Sequence, residues 1–309
     1  MEKKVSVVIP NYNGIKLLAK NLPNVVKNCQ SFEIIIVDDG SNDRSVEYVQ
    51  EKFKKIKIFA LGKNVGFAQA VNRGVEEAKG DLVLLLNSDV SPQSNFLNAA
   101  LAYFKNNFSN QPIFAVGLAD RSHEQDKIIV RGKGAANFTR GFVNHYATKP
   151  TKGETLWVSG GSGLFDRQKF LELGGFGPIF APFYWEDIDL SFRAWKKGYK
   201  CLFEPNAKVD HFHEEGSIKM SKSPFFIKIV SYKNQFLFVW KNISDPLWLV
   251  QHILWFPYHL AKSLLTLDFA FLAGFFWAVL KLPILVFDYS QSTTYYPLSD
   301  REVLSKFAK

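Results

Sequence analysis

Apolar positions in the first two hundred residues come in short blocks. Runs at residues 5–9, 32–37, 56–61 and 82–86 are each followed by polar turn residues and then, in most cases, by apolar positions at helical spacing. Apolar runs this short, bounded by turn formers, predict strands buried on both faces. Strands alternating with helices predict an α/β fold, a mostly parallel Rossmann-like sheet with helices on both faces. The first helix covers about residues 17–27 and contains Pro23, expected to kink or split it. Ser41 or Asp43 is available to cap the second, which ends near Phe53. Gly66 opens a third, with Ala70, Val71, Val75 and Ala78 on its packed side.

Further along, residues 95–106 read as a helix and 113–117 as a strand, whereas 119–155 have little pattern and read as loops with short strands. A glycine-dense turn, SGGSGLFDR, precedes a helix near 168–173. In 183–198 the helical spacing puts Ile188, Phe192, Trp195 and Tyr199 on one stripe and Asp189, Arg193, Lys196 and Lys197 on a charged face. Asp187 lies about 200° around the helix from Asp189, beside the small residues Ser191, Ala194 and Gly198. Two short strands at 200–203 and 207–209 lead into Asp210, His211, Phe212 and His213, and Gly216 with Ser217 suggests a mobile loop.

Composition changes the picture at the C-terminal end. Aromatics make up 15% of the chain, with 29 Phe, more than an ordinary core needs. The formal charge is +9, and residues 219–309 carry ten Lys or Arg against five Asp or Glu. A basic excess among apolar runs favours an anionic membrane surface, and with no zinc-finger spacing or RNP-type signature nucleic acid is not expected. Segments 231–241, 246–267 and 269–287 read as apolar amphipathic helices, interfacial in preference to spanning, with packing against the rest of the chain as the duller possibility. This divides the chain into a sheet domain, 1–218, and a helical membrane-associating region, 219–309. Cys29 and Cys201 suit a reducing compartment, and the run after MEKK is too short for a signal peptide, so an intracellular location is expected. Oligomeric state is not legible.

Chemistry is expected where strands end in polar residues. Ligands collect beyond the carboxyl ends of strands in such sheets, and Asn87, Ser88 and Asp89 close the run at 82–86. Asp89 reads equally as a cation-binding carboxylate or as part of a turn. Asp187 reads equally as a ligand-facing carboxylate or as a partner of its helix dipole. A histidine such as His211 at a strand end is a candidate metal ligand. There is no P-loop and no G-x-G-x-x-G.

The segments VSVVIPNYN, VDDGSND, NVGFAQAVNRG, LLNSDV, SGGSGLF and WEDIDLSFR occur in this order. Together they resemble the family 2 glycosyltransferases, close to the rhamnosyltransferase-like group of bacterial envelope polysaccharide enzymes. The resemblance implies a GT-A fold and transfer from a nucleoside diphosphate sugar to a glycan or lipid-linked acceptor. It implies that Pro10, Tyr12, Asp39, Asn64, Gly66, Asn72 and Gly161 form the donor side, that Asp89 and His211 hold Mg²⁺ or Mn²⁺, and that Asp187 is the catalytic base. His213 is an alternative to His211, and Asn87 stands where a two-Asp motif has its first carboxylate. Residues 119–155 would help to form the acceptor-facing surface. A place at the cytoplasmic face of the plasma membrane would suit a lipid-linked acceptor. Rival classes are a sugar-phosphate nucleotidyltransferase, which needs a glycine-rich basic loop that NYNGIKLL does not supply, and an inactive membrane-bound scaffold.

Overall fold

The computed structural model describes residues 3–105, 112–124, 127–212, 222–291 and 296–308. His213, Gly216, Ser217 and the expected boundary at 218 lie outside the described residues. Up to residue 105 the order is β1 (Val5–Asn11), α1 (Ile15–Asn28), β2 (Glu33–Asp38), α2 (Ser45–Lys52), β3 (Lys57–Ala60), α3 (Phe67–Glu77), β4 (Leu82–Leu86), β5 (Val90–Pro92) and α4 (Asn98–Lys105). There follow β6 (Ile113–Glu124), β7 (Lys127–Arg131), β8 (Gly134–Thr139), β9 (Phe142–Ala147), β10 (Gly153–Glu154), β11 (Ser162–Asp166), α5 (Arg167–Glu172), α6 (Glu186–Lys196) and β12 (Lys200–His211).

Across the main sheet the strands run β10-β12-β6-β11-β4-β1-β2-β3. β4, β1, β2 and β3 are parallel, as are β6 and β12, and β11 joins the two groups antiparallel to both neighbours. Side chains alternate between faces along a strand, so the apolar runs feed two cores. Val8, Ile35, Val37, Val83 and Leu85 face one. Val7, Ile9, Ile34, Ile36, Leu84 and Leu86 face the other, with Leu18 and Leu22 of α1. That both faces are covered explains why these strands read as unbroken apolar runs.

Several expectations need adjustment. α1 continues through Pro23, which sits inside the helix. Ser41 bonds to Asp38 instead of capping α2, and Asp43 accepts from the Ser45 N–H at 3.1 Å and the Ile15 N–H at 2.8 Å. The region read as loops is mostly strand, because β6 continues well past Gly117 and β7 to β10 follow. The two short strands after α6 are one, β12, with a register shift between Glu204 and Lys208.

Beyond residue 222 come α7 (Pro224–Asn242), α8 (Pro246–Leu265), α9 (Phe269–Val279), α10 (Leu282–Gln291) and α11 (Asp300–Ser305). Their starts follow from local chemistry: Ser223 accepts from the Phe226 N–H at 3.2 Å, and Asp245 from the Trp248 N–H at 3.0 Å. Proline stands at the first position of both α7 and α8. α9 approaches α7 closely at Gly274, where a Cβ would lie 2.9 Å from the Ile229 carbonyl oxygen. Phe236, Leu237, Phe238 and Val239 of α7 belong to the same buried cluster as one face of the sheet. No helix among the described residues is long and apolar enough to cross a membrane.

Candidate active site

β1 and β2 end side by side, Asn11 in register with Asp38. Asp38 accepts from the Asn11 amide at 2.9 Å and from Ser41. The next residue, Asp39, accepts from the Val65 N–H at 2.7 Å and the Gly66 N–H at 2.9 Å, tying the end of β2 to the entry of α3. Burial raises the Asp39 pKa, those two bonds oppose the rise, and Asp38 adds to it. Gly66 has φ +94, which a side chain would strain, and almost nothing crowds its missing Cβ. Around this knot Pro10 is half-buried, and Tyr12 and Asn64 are exposed. Asn11 was not foreseen as a site residue, yet its buried Oδ1 has no hydrogen-bond partner.

Asn72 is set apart from this group. It accepts from the Phe176 N–H at 2.8 Å and donates to the Phe176 carbonyl at 2.9 Å, so both ends of its amide support the loop before α6. Gly161 is a site of close approach: a Cβ there would lie 2.5 Å from the Asn87 side chain, and its carbonyl accepts from the Asn87 N–H at 3.0 Å. The neutral Asn87 therefore packs on the glycine turn two residues before Asp89.

Sheet register brings the next cluster together. β5 pairs antiparallel with β12 so that His211 faces Val90, and β12 pairs with β6 so that His211 faces Ser122. Alternation then puts Asp120, Ser122 and His211 on one face, and Arg121, His123 and Asp210 on the other. On the second face Asp210 pairs with Arg121 at 3.2 Å and His123 at 2.8 Å. On the first, His211 Nδ1 lies 2.6 Å from Asp120 and Nε2 lies 3.3 Å from Asp89 Oδ2. Asp89 is buried, and its Oδ1 has no hydrogen-bond partner. Burial alone would lower the His211 pKa, but the hydrogen bonds and charges of Asp120 and Asp89 raise it to about 9. Asp120 was not foreseen. Its signal is the continued two-residue alternation of LADRSHE beyond the predicted strand end.

Asp187 stands on the first turn of α6, partly exposed. It accepts from the Ile188 N–H at 2.8 Å, and the Gly160 N–H also bonds it. Burial pushes its pKa up to about 6 against those bonds. Its neighbour Glu186 is buried, and burial followed by the Asp187 charge takes it to about 8. Tyr184 and Trp185, with φ +71 and +76, bring the chain into the helix through left-handed backbone, a strained entry for bulky residues. α7 holds that entry. The Asn234 amide nitrogen lies 2.7, 2.9 and 2.8 Å from the carbonyl oxygens of Phe180, Phe183 and Tyr184, and the Lys233 ammonium donates to that of Ala181.

On the charged face of α6, Asp189, Arg193 and Lys196 are buried, and Lys197 is partly exposed. Asp189 is enclosed by Arg193 at 2.7 Å, Lys241 at 3.0 Å and Asn242 at 2.9 Å. Lys196 pairs at 2.7 Å with Asp300 of α11. The sequence spacing grouped these residues correctly, but α7 and α11 cover them.

Comparison with known proteins follows the same outline. The profile of Glycosyl transferase family 2 matches residues 6–172. An undecaprenyl-phosphate 4-deoxy-4-formamido-L-arabinose transferase of Proteus mirabilis is 38% identical over 95 residues, 28% of this chain and 29% of that protein. The match thus spans less than a third of that relative's length. Among solved structures, GalNAc-T7 with UDP, GalNAc and Mn²⁺ superposes with a TM-score of 0.62 at 22% identity, over 79% of this chain and 48% of that one. The mannosyltransferase PcManGT of Pyrobaculum calidifontis, with GDP-Man and Mn²⁺, gives 0.55 at 15% identity over 99% and 85%. These likenesses show the fold, GT-A, as the motifs led us to expect. With more than half of its length matched by the profile, the chain belongs to glycosyl transferase family 2.

Proposed function

We propose that the protein is an inverting glycosyltransferase that moves a sugar from a nucleoside diphosphate donor to an acceptor hydroxyl at the cytoplasmic face of the plasma membrane, in building envelope polysaccharide. The observation that carries this reading is Asp187: a partly exposed carboxylate with a pKa near 6, beside the glycine turn that also packs on Asn87, two residues from Asp89. A base is most effective when its pKa lies near the working pH. In the transfer, the acceptor oxygen bonds to the anomeric carbon as the bond from that carbon to the diphosphate oxygen breaks. The electron pair leaves with the diphosphate, and the acceptor proton passes to an Asp187 carboxylate oxygen. Pro10, Tyr12, Asp39, Asn64, Gly66 and Gly161 would form the donor side. Asn72 would act through the Phe176 loop it supports.

The donor class agrees with two of the solved structures named above, one with UDP and Mn²⁺ and the other with GDP-Man and Mn²⁺. Among the described residues no group of three or more His, Cys, Asp or Glu could hold a metal ion. Two ligands nevertheless fit one. The buried Asp89 Oδ1 lacks a partner, and His211 presents Nε2 toward Asp89 while Asp120 engages Nδ1, as a carboxylate behind a metal-binding imidazole does. Asp89 and His211 would therefore hold Mg²⁺ or Mn²⁺, with donor phosphates completing the set. Bound there, the ion would offset charge building on the leaving diphosphate.

Membrane contact is supported by the apolar residues that α8 to α10 leave outward. Leu254 is 71% exposed and Leu265 85% on α8, which also carries Lys262, and Leu280 is 76% exposed beside Lys281 in the turn after α9. A ligand that binds the folded state raises its apparent stability. Screening nucleoside diphosphate sugars for thermal stabilisation with and without Mn²⁺ tests the donor reading. At least one donor should raise the unfolding midpoint in a Mn²⁺-dependent way, and no response from any donor would sink the proposal.

A further inference from the structure

His145 of β9 is exposed, yet its ring meets two indole rings edge to face, Trp157 at 5.4 Å and Trp185 at 4.9 Å. Each indole is close in the chain to Asp187 or to a residue that bonds it. Trp185 is two residues before it, and Trp157 is three before Gly160, whose N–H bonds the Asp187 carboxylate. The 155–158 segment is pinned along α6: the Trp195 indole N–H lies 3.1 Å from the Thr155 and Leu156 carbonyl oxygens, and the Ser191 hydroxyl accepts from the Val158 N–H at 3.1 Å. Tyr184 adds a ring that is 41% exposed, next to Trp185. Solvent can therefore reach an imidazole set against two indoles, and a phenol that adjoins the second of them in the chain and packs on Phe183, in the segments that lead to the carboxylate.

The chemistry of this ledge discriminates between acceptors. Its aromatic rings offer apolar faces with polar edges, which suit the C–H faces and hydroxyls of a sugar ring. A neutral imidazole has one N–H donor and one bare nitrogen, matching a pair of hydroxyls. The lysines that α7 brings nearby are already engaged, Lys233 with the Ala181 carbonyl and Lys241 with Asp189, while Glu186 and Asp187 are carboxylates. A phosphate acceptor would be repelled by an ionised Asp187 and has no need of a base, whereas a hydroxyl requires one.

We propose that His145, Trp157 and Tyr184 form an acceptor subsite for the ring of a neutral sugar, whose hydroxyl is presented to Asp187, and not for the phosphate head of a polyprenyl phosphate. The inference rests on the transfer chemistry proposed above, and two measurements keep the two ideas separate. The first is saturation-transfer NMR of the full chain with methyl glycosides of glucose, galactose, mannose and rhamnose. At least one glycoside should show transfer, reduced about tenfold by His145→Ala and by Tyr184→Ala and partly restored by His145→Gln. The second, using whichever nucleotide sugar the wild type turns over, compares sugar passed to that glycoside, to undecaprenyl phosphate in vesicles and to water. The ratio of glycoside product to hydrolysis should fall in His145→Ala. Glycoside signals indifferent to both variants, or undecaprenyl phosphate accepting sugar while no glycoside does, would overturn the subsite. If no donor is turned over but the NMR signal still depends on His145, the subsite stands and the transfer chemistry falls.

Discussion

The sheet and the C-terminal helices place polarity in opposite ways. In the sheet, apolar side chains fill two cores and polar ones collect at the strand ends, where Asp38, Asp39 and Asp89 stand. Where the tail meets the sheet, charges and amides are inside: Lys233, Asn234, Asn242 and Asp300 are buried, while Leu254, Leu265, Phe276 and Leu280 face out. Water alone does not select such an arrangement, since large apolar patches left outward mark contact with a lipid or a partner. The buried polar groups of the tail are partnered by the loop and helix that carry Asp187. One region gathers carboxylates at the strand ends, and the other holds the loop and helix that carry Asp187 while leaving apolar side chains outward.

The largest effect is expected where the two regions meet at the chemistry. Asp187→Asn should lower transfer by about 10²–10⁴-fold, the range for loss of a positioned base, with the unfolding midpoint essentially kept. Normal turnover in a folded variant would remove Asp187 from the mechanism.

Next in size is the join itself. Asp300 accepts from Lys196 at 2.7 Å and from the Ser244 and Asp245 N–H groups at 2.6 and 2.8 Å. Removing it leaves a buried ammonium unpaired, which costs roughly 3–5 kcal/mol. Urea unfolding of Asp300→Ala should show that loss in one transition. A loss below about 1 kcal/mol, or a separate early transition of the tail, would mean that the helices fold independently of the sheet.

A smaller effect is expected on the outer face. Replacing Leu254, Leu265 and Leu280 together by Glu removes exposed apolar contacts and adds charge that anionic lipid repels. The fraction floating with phosphatidylglycerol vesicles should drop at least tenfold, since even one leucine buried in lipid contributes about 1.5–3 kcal/mol. Unchanged flotation would point to another attachment.

The contrast also explains what the sequence could reveal. The strands and the polar turns after them were legible because their signals are local: an apolar run, then Asp-Asp-Gly-Ser or Asn-Ser-Asp. Asp120 was not, because it reaches His211 through the register of β6 against β12. Lys196 pairs with a residue 104 positions away, so helical spacing could group the charged face of α6 but could not tell that α7 and α11 cover it. Asn72 carried a motif signal, yet both ends of its amide are taken by Phe176. A motif identifies the residue and leaves open whether it touches a ligand or supports a loop.

The smallest and sharpest test concerns the two carboxylates at the head of α6. Burial is the leading cause of both shifts, and the Asp187 charge adds to that of Glu186, so Asp187 loses its proton first, near pH 6, and Glu186 follows near 8. Both values exceed those of the unfolded chain, which releases these protons sooner. The pair therefore costs stability as pH rises from the ordinary carboxylate range to those values. Activity has the opposite sign at the first step, because kcat/KM should rise through pH 6 as Asp187 becomes able to accept a proton. Glu186→Gln should keep that limb, since burial is the leading cause of the Asp187 shift, and should abolish any inflection near pH 8. If the limb near 6 moves to the ordinary carboxylate range in Glu186→Gln, the two groups act as one shared-proton pair and the assignment of the base to Asp187 alone fails.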